Sequence, residues 1–260
     1  MSTRIETVFA KARPAFVAYI MGGDPDAKTS QRVMKALPGA GVDIIELGFP
    51  FTDPMADGPV IEEAGIRSRK AGTTLASVLD MAHSFRRDDD STPIIVMGYA
   101  NPVYQMGYAE FSDRAAKAGI DGAIIVDLPP EEDGPLRAEM DARGLSLIRL
   151  ATPTTDAERL PKVVSGSSGF VYYVSMTGVT GGALAQGGSV AEQVTRVRDA
   201  AHLPVVVGFG VKTTERAVQI AKEADGVVVG TAIVKALHDD GEDAALDLVR
   251  ALADATHTAR

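Results

Sequence analysis

The sequence predicts an α/β protein, a single closed (β/α)8 barrel with an extra helix at its N-terminus. Three observations carry that expectation. Apolar runs of strand length alternate with helix-period segments, the pattern of a parallel sheet. One unit recurs, in which a helix end and a short Gly-containing turn lead into an apolar strand. It occurs at Ala40-Gly41-Val42-Asp43 before the run 44–47, at Ala118-Gly119-Ile120-Asp121-Gly122 before 123–126, and at Ala224-Asp225-Gly226 before 227–230. Glycine just past the last helical residue stops a helix because it takes the left-handed cap. The 260 residues hold eight units of roughly 25–30 residues, which suits a closed barrel of the TIM type better than an open doubly wound sheet.

Taken in order, residues 2–12 place Ile5, Val8, Phe9 and Ala12 on one helical face, suited to cover one end of the barrel. Strands are expected near 15–21, 43–47, 94–98, 123–127, 145–150, 170–175, 204–208 and 226–230. Each is a continuous apolar run, as strands buried on both faces require. Between them lie helical patterns such as 111–118 and 214–220. Pro38 and Pro161 fall within or beside helical stretches and are expected to end or kink them. No linker or low-complexity tract divides the chain, so residues 1–260 read as one domain.

Composition narrows the function. A net charge of −9 attracts neither nucleic-acid phosphates nor anionic lipid. The absence of Cys excludes disulfides and thiolate metal sites. The N-terminus Met-Ser-Thr-Arg-Ile-Glu has no apolar signal core, and no apolar run approaches the roughly 18 residues of a membrane span. The expectation is a cytoplasmic protein without an anchor.

In such barrels the active site lies at the C-terminal ends of the strands. There the sequence places Glu46, Tyr99, Asn101, Asp127, Tyr172, Tyr173 and Ser175, followed by Gly208-Phe209-Gly210 and Gly230-Thr231 after the last two strands. Glu46 closes an apolar run, Asp43-Ile44-Ile45-Glu46-Leu47. A carboxylate there must be paired or raise its pKa, which makes it a candidate acid/base. The last two glycine loops suit a phosphate, because glycine lets backbone N–H groups approach an anion closely. No Arg lies in the loops after the sixth to eighth strands, so backbone rather than a cationic clamp is expected to recognise the phosphate. The Rossmann pattern and the P-loop are both excluded, because Gly208-Phe209-Gly210 continues as Val211-Lys212-Thr213. His83, His202, His238 and His257 are scattered over helical or terminal positions, which disfavours a metal site and a Ser-His-Asp triad. No Lys falls inside a strand to form a Schiff base, so general acid–base catalysis remains. Asp53 and Asp57 could each cap the helix beginning near Pro59. That reading is preferred for Asp53, while for Asp57 a position facing the barrel mouth stays open.

The run Glu46-Leu47-Gly48-Phe49-Pro50-Phe51-Thr52-Asp53-Pro54-Met55-Ala56-Asp57-Gly58-Pro59 closely resembles the motif of the tryptophan synthase α subunit family. Gly22-Gly23-Asp24-Pro25, Met97-Gly98-Tyr99-Ala100-Asn101-Pro102, Asp127-Leu128-Pro129, Gly178-Val179-Thr180-Gly181, Gly208-Phe209-Gly210 and the run 229–234 resemble further family segments in the same order. The resemblance spans about residues 5–240 and implies retro-aldol cleavage of indole-3-glycerol phosphate to indole and glyceraldehyde 3-phosphate. It implies Glu46 as the general acid/base at indole C3 and Asp57 as the acceptor of the indole N–H. Tyr172 would line the site, and Tyr19, Phe49, Met97, Leu150 and Phe209 would wall the indole. Thr180 would also contact substrate, and backbone groups of Gly181, Gly210, Gly230 and Thr231 would hold the phosphate. Ser175-Met176-Thr177 departs from a Ser-Arg pairing common in the family, and Thr231 replaces a frequent Ser.

The resemblance also implies a β subunit in an α2β2 heterotetramer, with pyridoxal phosphate in that partner and no cofactor in this chain. Two rival readings are a stand-alone lyase with the same chemistry and a non-catalytic phosphate-binding barrel; intact Glu46 and Asp57 count against the second. Residues 176–189 hold Gly178, Gly181, Gly182, Gly187 and Gly188, a composition expected to be mobile when the site is empty. That segment and 52–59 are the candidate lids, and a partner that favours their closure would raise the rate.

Overall fold

The computed structural model of the chain describes residues 3–175, 189–208 and 210–259. Among the described residues, nine parallel strand segments form one sheet: β1 (Ala15–Met21), β2 (Ile44–Gly48), β3 (Ile94–Gly98), β4 (Gly122–Ile125), β5 (Ser146–Leu147), β6 (Arg149–Ala151), β7 (Val171–Val174), β8 (Val205–Gly208) and β9 (Gly226–Val229). They run in the order β5-β4-β3-β2-β1-β9-β8-β7-β6. The two ends of this order are consecutive in the chain, separated by Ile148 alone. β5 pairs with β4 and β6 pairs with β7. The single strand expected over 145–150 is therefore two short segments, and together they occupy the fifth position of an eight-position barrel.

Strand parity divides the residues into two shells, because successive side chains point to opposite faces. Val17, Ile44, Ile95, Ile124, Ile148, Phe170, Tyr172, Val206 and Val228 pack inside the barrel. Phe16, Ile45, Leu47, Val96, Tyr173 and Val207 face the surrounding helices. Buried on both faces, the strands need the unbroken apolar runs that the sequence shows. The parity also separates two adjacent tyrosines: Tyr172 points inward and Tyr173 outward.

The first helix, α1 (Arg4–Phe9), closes the N-terminal end of the barrel. Thr3 and Glu6 form a capping box that satisfies its first N–H groups. Ile5 and Val8 are buried in the interior cluster, and Phe9 packs on Phe170 with ring centroids 5.8 Å apart. The helix is shorter than the sequence pattern suggests, and Ala12 lies outside it, exposed. The helix before Pro38 ends there as expected, while the expectation for Pro161 is corrected. Pro38 opens a 3-10 turn that follows α2 (Ala27–Ala36), and Pro161 lies in the first turn of α8 (Leu160–Val164). Both occupy helix starts, where the missing N–H is not needed.

The aspartates of the recurring unit lock the same end of the barrel. Asp43 N–H donates to Phe16 C=O at 2.9 Å, and its carboxylate accepts the Phe16 N–H at 3.0 Å. Asp121 makes the same reciprocal pair with Ile94, at 2.9 and 2.8 Å, and Asp225 with Val205, at 2.9 and 2.9 Å. Each carboxylate also receives arginine: Arg13 on Asp43, Arg4 and Arg86 on Asp121, Arg198 on Asp225. One aspartate thus joins the start of its own strand to the start of the preceding or a neighbouring one.

Asp43 is the most heavily charged of these. Burial alone would raise its carboxyl, but His257, Arg13, Lys11 and the Phe16 N–H override that and hold it far below the usual carboxylate range. A depressed carboxyl adds stability that is present above its unfolded pKa of about 3.9 and is lost as pH falls below it. Asp43→Asn should therefore cost about 3–5 kcal/mol at pH 7, as expected when one member of a buried ion pair is removed. Urea unfolding of the two proteins between pH 7 and pH 3 checks this: the gap should be constant above about pH 5 and shrink below pH 4.

Candidate active site

The C-terminal end of the barrel opens into a cavity of about 350 Å³ lined by Tyr19, Met21, Glu46, Phe49, Asp57, Met97, Tyr99, Tyr172, Gly210, Lys212, Gly230 and Thr231, among others. Three strand-terminal glycines make it possible. A Cβ on Gly48 would lie 2.2 Å from the Tyr19 hydroxyl, one on Gly98 would lie 2.3 Å from the Phe49 ring, and one on Gly208 would lie 2.1 Å from the Tyr172 hydroxyl. Any larger residue at these strand ends would displace the aromatic side chain beside it.

Glu46 projects inward from β2, in register with Tyr19 of β1 and Ile95 of β3. It is 2% exposed, and its Oε1 has no hydrogen-bond partner among the described residues. Burial pushes its carboxyl up to about 8. Water is removed and no cation replaces it, so the neutral acid is the favoured form at pH 7. The Tyr19 and Tyr172 hydroxyls are both driven well up, first by burial and then by nearby carboxylates: Asp57 and Glu46 for Tyr19, Glu46 for Tyr172. Both stay protonated and can donate to a ligand.

Asp57 reaches the same cavity from the loop between β2 and α3 (Pro59–Lys70). It does not cap that helix. Gly58 holds the N-cap position, and no side chain caps it. Asp53 does not cap it either; it is exposed, with the Thr52 hydroxyl 2.5 Å from Oδ2. The capping reading of these two residues fails because Pro59 at the first helical position moves the cap to glycine. Asp57 is held instead by Tyr99, whose hydroxyl donates to it and accepts the Ala56 N–H at 3.1 Å. Burial raises the Asp57 carboxyl, partly offset by that hydrogen bond and reinforced by Glu62. Tyr99 is stacked on Phe51, with centroids 5.2 Å apart. The far end of the loop is fixed through α3, where Arg67 makes two bonds to buried Asp24, at 2.7 and 2.9 Å, and the Ser68 hydroxyl donates to Gly22 C=O at 2.6 Å.

Of the sequence-predicted residues, Glu46, Asp57, Tyr19, Phe49, Met97, Tyr172, Gly210, Gly230 and Thr231 line the one cavity. Leu150 lines a neighbouring cavity with Val126, Asp127 and Arg149 instead. Thr180, Gly181 and Phe209 lie outside the described residues, as does the 176–189 lid except for Ser189. The sequence gives Tyr99 a strand-end position but no role; its hydrogen bond to Ala56, beside Asp57, spans 43 residues and no local pattern reveals it. Asp127 is explained as well, since its carboxylate accepts the Ala100 N–H at 2.7 Å at the start of α5 (Ala100–Met106). The four histidines sit in α4 (Leu75–Phe85), after α9 (Val190–Ala201), in α11 (Thr231–Asp239) and in α12 (Glu242–His257), none lining the cavity. Among the described residues no group of three or more His, Cys, Asp or Glu is placed to hold a metal ion.

The cavity therefore combines a buried neutral acid, a second carboxyl positioned by a tyrosine, an apolar slot, and the start of α11, whose N-cap Gly230 leaves its first turn without a side-chain cap. Such an arrangement can bind a flat apolar ring with an N–H and a trailing anion, and can move a proton at the ring.

The family model described as tryptophan synthase alpha chain matches residues 5–259. Among solved structures, tryptophan synthase subunit alpha from Legionella pneumophila str. Paris is 36% identical, with a TM-score of 0.88 over 98% of this chain and 99% of that one. Tryptophan synthase from Mycobacterium tuberculosis in space group F222 is 37% identical, with a TM-score of 0.90 over 99% of both chains. A protein from Aquifex aeolicus VF5 is 36% identical, with a TM-score of 0.90 over 98% of this chain and all of that one.

The raised Glu46 carboxyl has a measurable cost. A group whose folded pKa is raised from about 4.5 to about 8 loses stability as pH rises between those values. Glu46→Gln should therefore be more stable than the parent chain by a few kcal/mol at pH 8, with no gain at pH 4. Thermal or urea unfolding at both pH values checks it; equal stability at pH 8 would mean that Glu46 is not a buried acid.

Proposed function

The chain belongs to the tryptophan synthase alpha chain family, lyases that cleave indole-3-glycerol phosphate, and we propose that Glu46 and Asp57 carry that cleavage here. The observation behind this reading is the buried Glu46 carboxyl, held as the neutral acid and with its Oε1 unpartnered among the described residues, facing the same cavity as Asp57. Glu46 gives its proton to indole C3. The ring becomes cationic, and Asp57, accepting the indole N–H, stabilises that charge. The glycerol hydroxyl next to the ring then loses its proton to the Glu46 carboxylate. The C–C bond breaks, its electron pair returns to the ring, and indole and glyceraldehyde 3-phosphate separate with Glu46 reprotonated. Every proton is accounted for by one carboxyl group, so the step requires no cofactor in this chain.

Tyr19, Phe49, Met97 and Tyr172 wall the indole, and backbone N–H groups at Gly210, Gly230 and Thr231 receive the phosphate. Thr180, Gly181 and Phe209 complete the site by resemblance. Leu150 is assigned to the indole wall on the same ground, from its inward position on β6 beside Tyr172.

Family members work with a β subunit. For this chain we infer an α2β2 assembly in the cytoplasm, with pyridoxal phosphate held by the partner. Among the described residues no helix is long and apolar enough to cross a membrane. Met55, 84% exposed at the tip of the loop that carries Asp57, and Tyr104, 66% exposed on α5, stand at the same end of the barrel as the cavity. A partner seated there would bear directly on the Asp57 loop.

Glu46→Gln should lower kcat by about 10²- to 10⁴-fold while substrate still binds, since the amide keeps its size but transfers no proton. Asp57→Asn should lower it about 10²- to 10³-fold. Release of glyceraldehyde 3-phosphate measures both, and activity within a few-fold of the parent chain would refute the corresponding role. A β subunit should strongly activate the chain and, with a substrate analogue, slow hydrogen exchange over 52–59 and 176–189. Full activity of the isolated chain with equal exchange in all states would favour the stand-alone lyase.

A further inference from the structure

We propose that Lys212 supplies the positive charge that draws and retains the substrate phosphate, a role that rests on the phosphate lying beside Gly210, Gly230 and Thr231. Lys212 lines the same cavity as those three residues and follows Gly210 by two positions. It is exposed and has no hydrogen bond or ion pair among the described residues. Apart from tyrosines, the other titratable side chains lining the cavity among the described residues are the carboxyl groups of Glu46 and Asp57. Along the sequence, the segments 175–189, 209–213 and 230–231 that follow the last three strands contain no Arg and no Lys apart from Lys212.

The electrostatics make the need plain. The chain carries a net charge of −9, and a dianionic phosphate must enter a cavity that already holds two carboxyl groups. Backbone N–H groups and the uncapped start of α11 orient the phosphate but carry only partial charge, about half a unit for a helix terminus. A full charge at the rim acts over a longer range and raises the local concentration of an anion before contact. Gly210, at φ 74°, sets the direction in which the chain leaves β8 toward α10 (Thr214–Ala221) and so fixes where Lys212 begins. Thr213 caps α10 by accepting the Arg216 N–H at 3.3 Å, which leaves Lys212 outside the helix at the cavity rim. The backbone-only expectation is thereby amended: glycines shape the site, and one lysine charges it.

The test uses the chain itself with glycerol 3-phosphate as the probe, a molecule that carries the phosphate without the indole and is expected to compete with substrate for the cavity. Lys212→Gln should raise both the KM for indole-3-glycerol phosphate and the inhibition constant of glycerol 3-phosphate about tenfold, the scale of a single charge contact at a partly exposed site. kcat should fall much less than KM rises. The salt dependence of kcat/KM should flatten in the same variant. Lys212→Arg should restore most of the loss. A wild-type inhibition constant in Lys212→Gln would overturn the proposal. A crystal soaked with glycerol 3-phosphate separates the two readings. With the phosphate at Gly230 and Thr231 and no effect of Lys212→Gln, only the lysine role fails; a phosphate bound elsewhere overturns both.

Discussion

A carboxyl group stripped of water and given no cation can stay inside a protein only as the neutral acid. Glu46 is held under that constraint. Its neighbours on β2, Ile45 and Leu47, face the helices, while Ile44 and Glu46 face the barrel interior. The alternation leaves the carboxyl no route to solvent except the cavity itself. Tyr19 and Tyr172 stand near it with hydroxyl groups that do not ionise at neutral pH. The stability lost by burying this acid is what makes a proton available at neutral pH.

A group so placed needs a frame that does not relax around it. The opposite end of the barrel provides one. Asp43, Asp121 and Asp225 each pin strand starts through a reciprocal backbone pair and an arginine. α1 closes that end with Ile5, Val8 and Phe9. The cavity carboxyls and the stabilising groups thus occupy opposite ends of the same strands, the usual division of labour in this architecture. Asp57 has looser support: it lies on a loop, positioned by one tyrosine hydroxyl and by the anchoring of α3 to Asp24.

The barrel was legible in the sequence because strands buried on both faces leave long apolar runs, and because the Ala-Gly-x-Asp unit marks where a helix stops and a strand starts. Glu46 was legible for the same reason, as a charge in a run that tolerates none. Asp57 was legible only in part, since loop residues carry no periodicity: the residues left open that it faces the barrel mouth while Asp53 caps, and the resemblance gave it a role. The reach of Tyr99 across to Ala56 and Asp57 is tertiary and leaves no local trace. The division of the fifth strand at Ile148 was hidden because one apolar run covers both segments. Helix capping misled where Pro59 fixed the helix start one residue later than an aspartate cap requires. Residue pattern alone left open which of Tyr172 and Tyr173 faces inward; the resemblance chose Tyr172, and its register with Val206 and Leu150 places it there. Lys212 was set aside because it is not in a strand, which bears on Schiff-base chemistry and not on charge at a rim.

The central claim is that Glu46 faces indole C3 while the phosphate lies at the start of α11. The most direct measurement is a crystal structure of the Glu46→Gln variant with indole-3-glycerol phosphate bound. The account predicts intact substrate, with the residue 46 amide against C3, the ring N–H on Asp57, and the phosphate beside Gly230 and Thr231. A substrate bound the other way round, with the phosphate toward residue 46 or the ring away from Asp57, would contradict it.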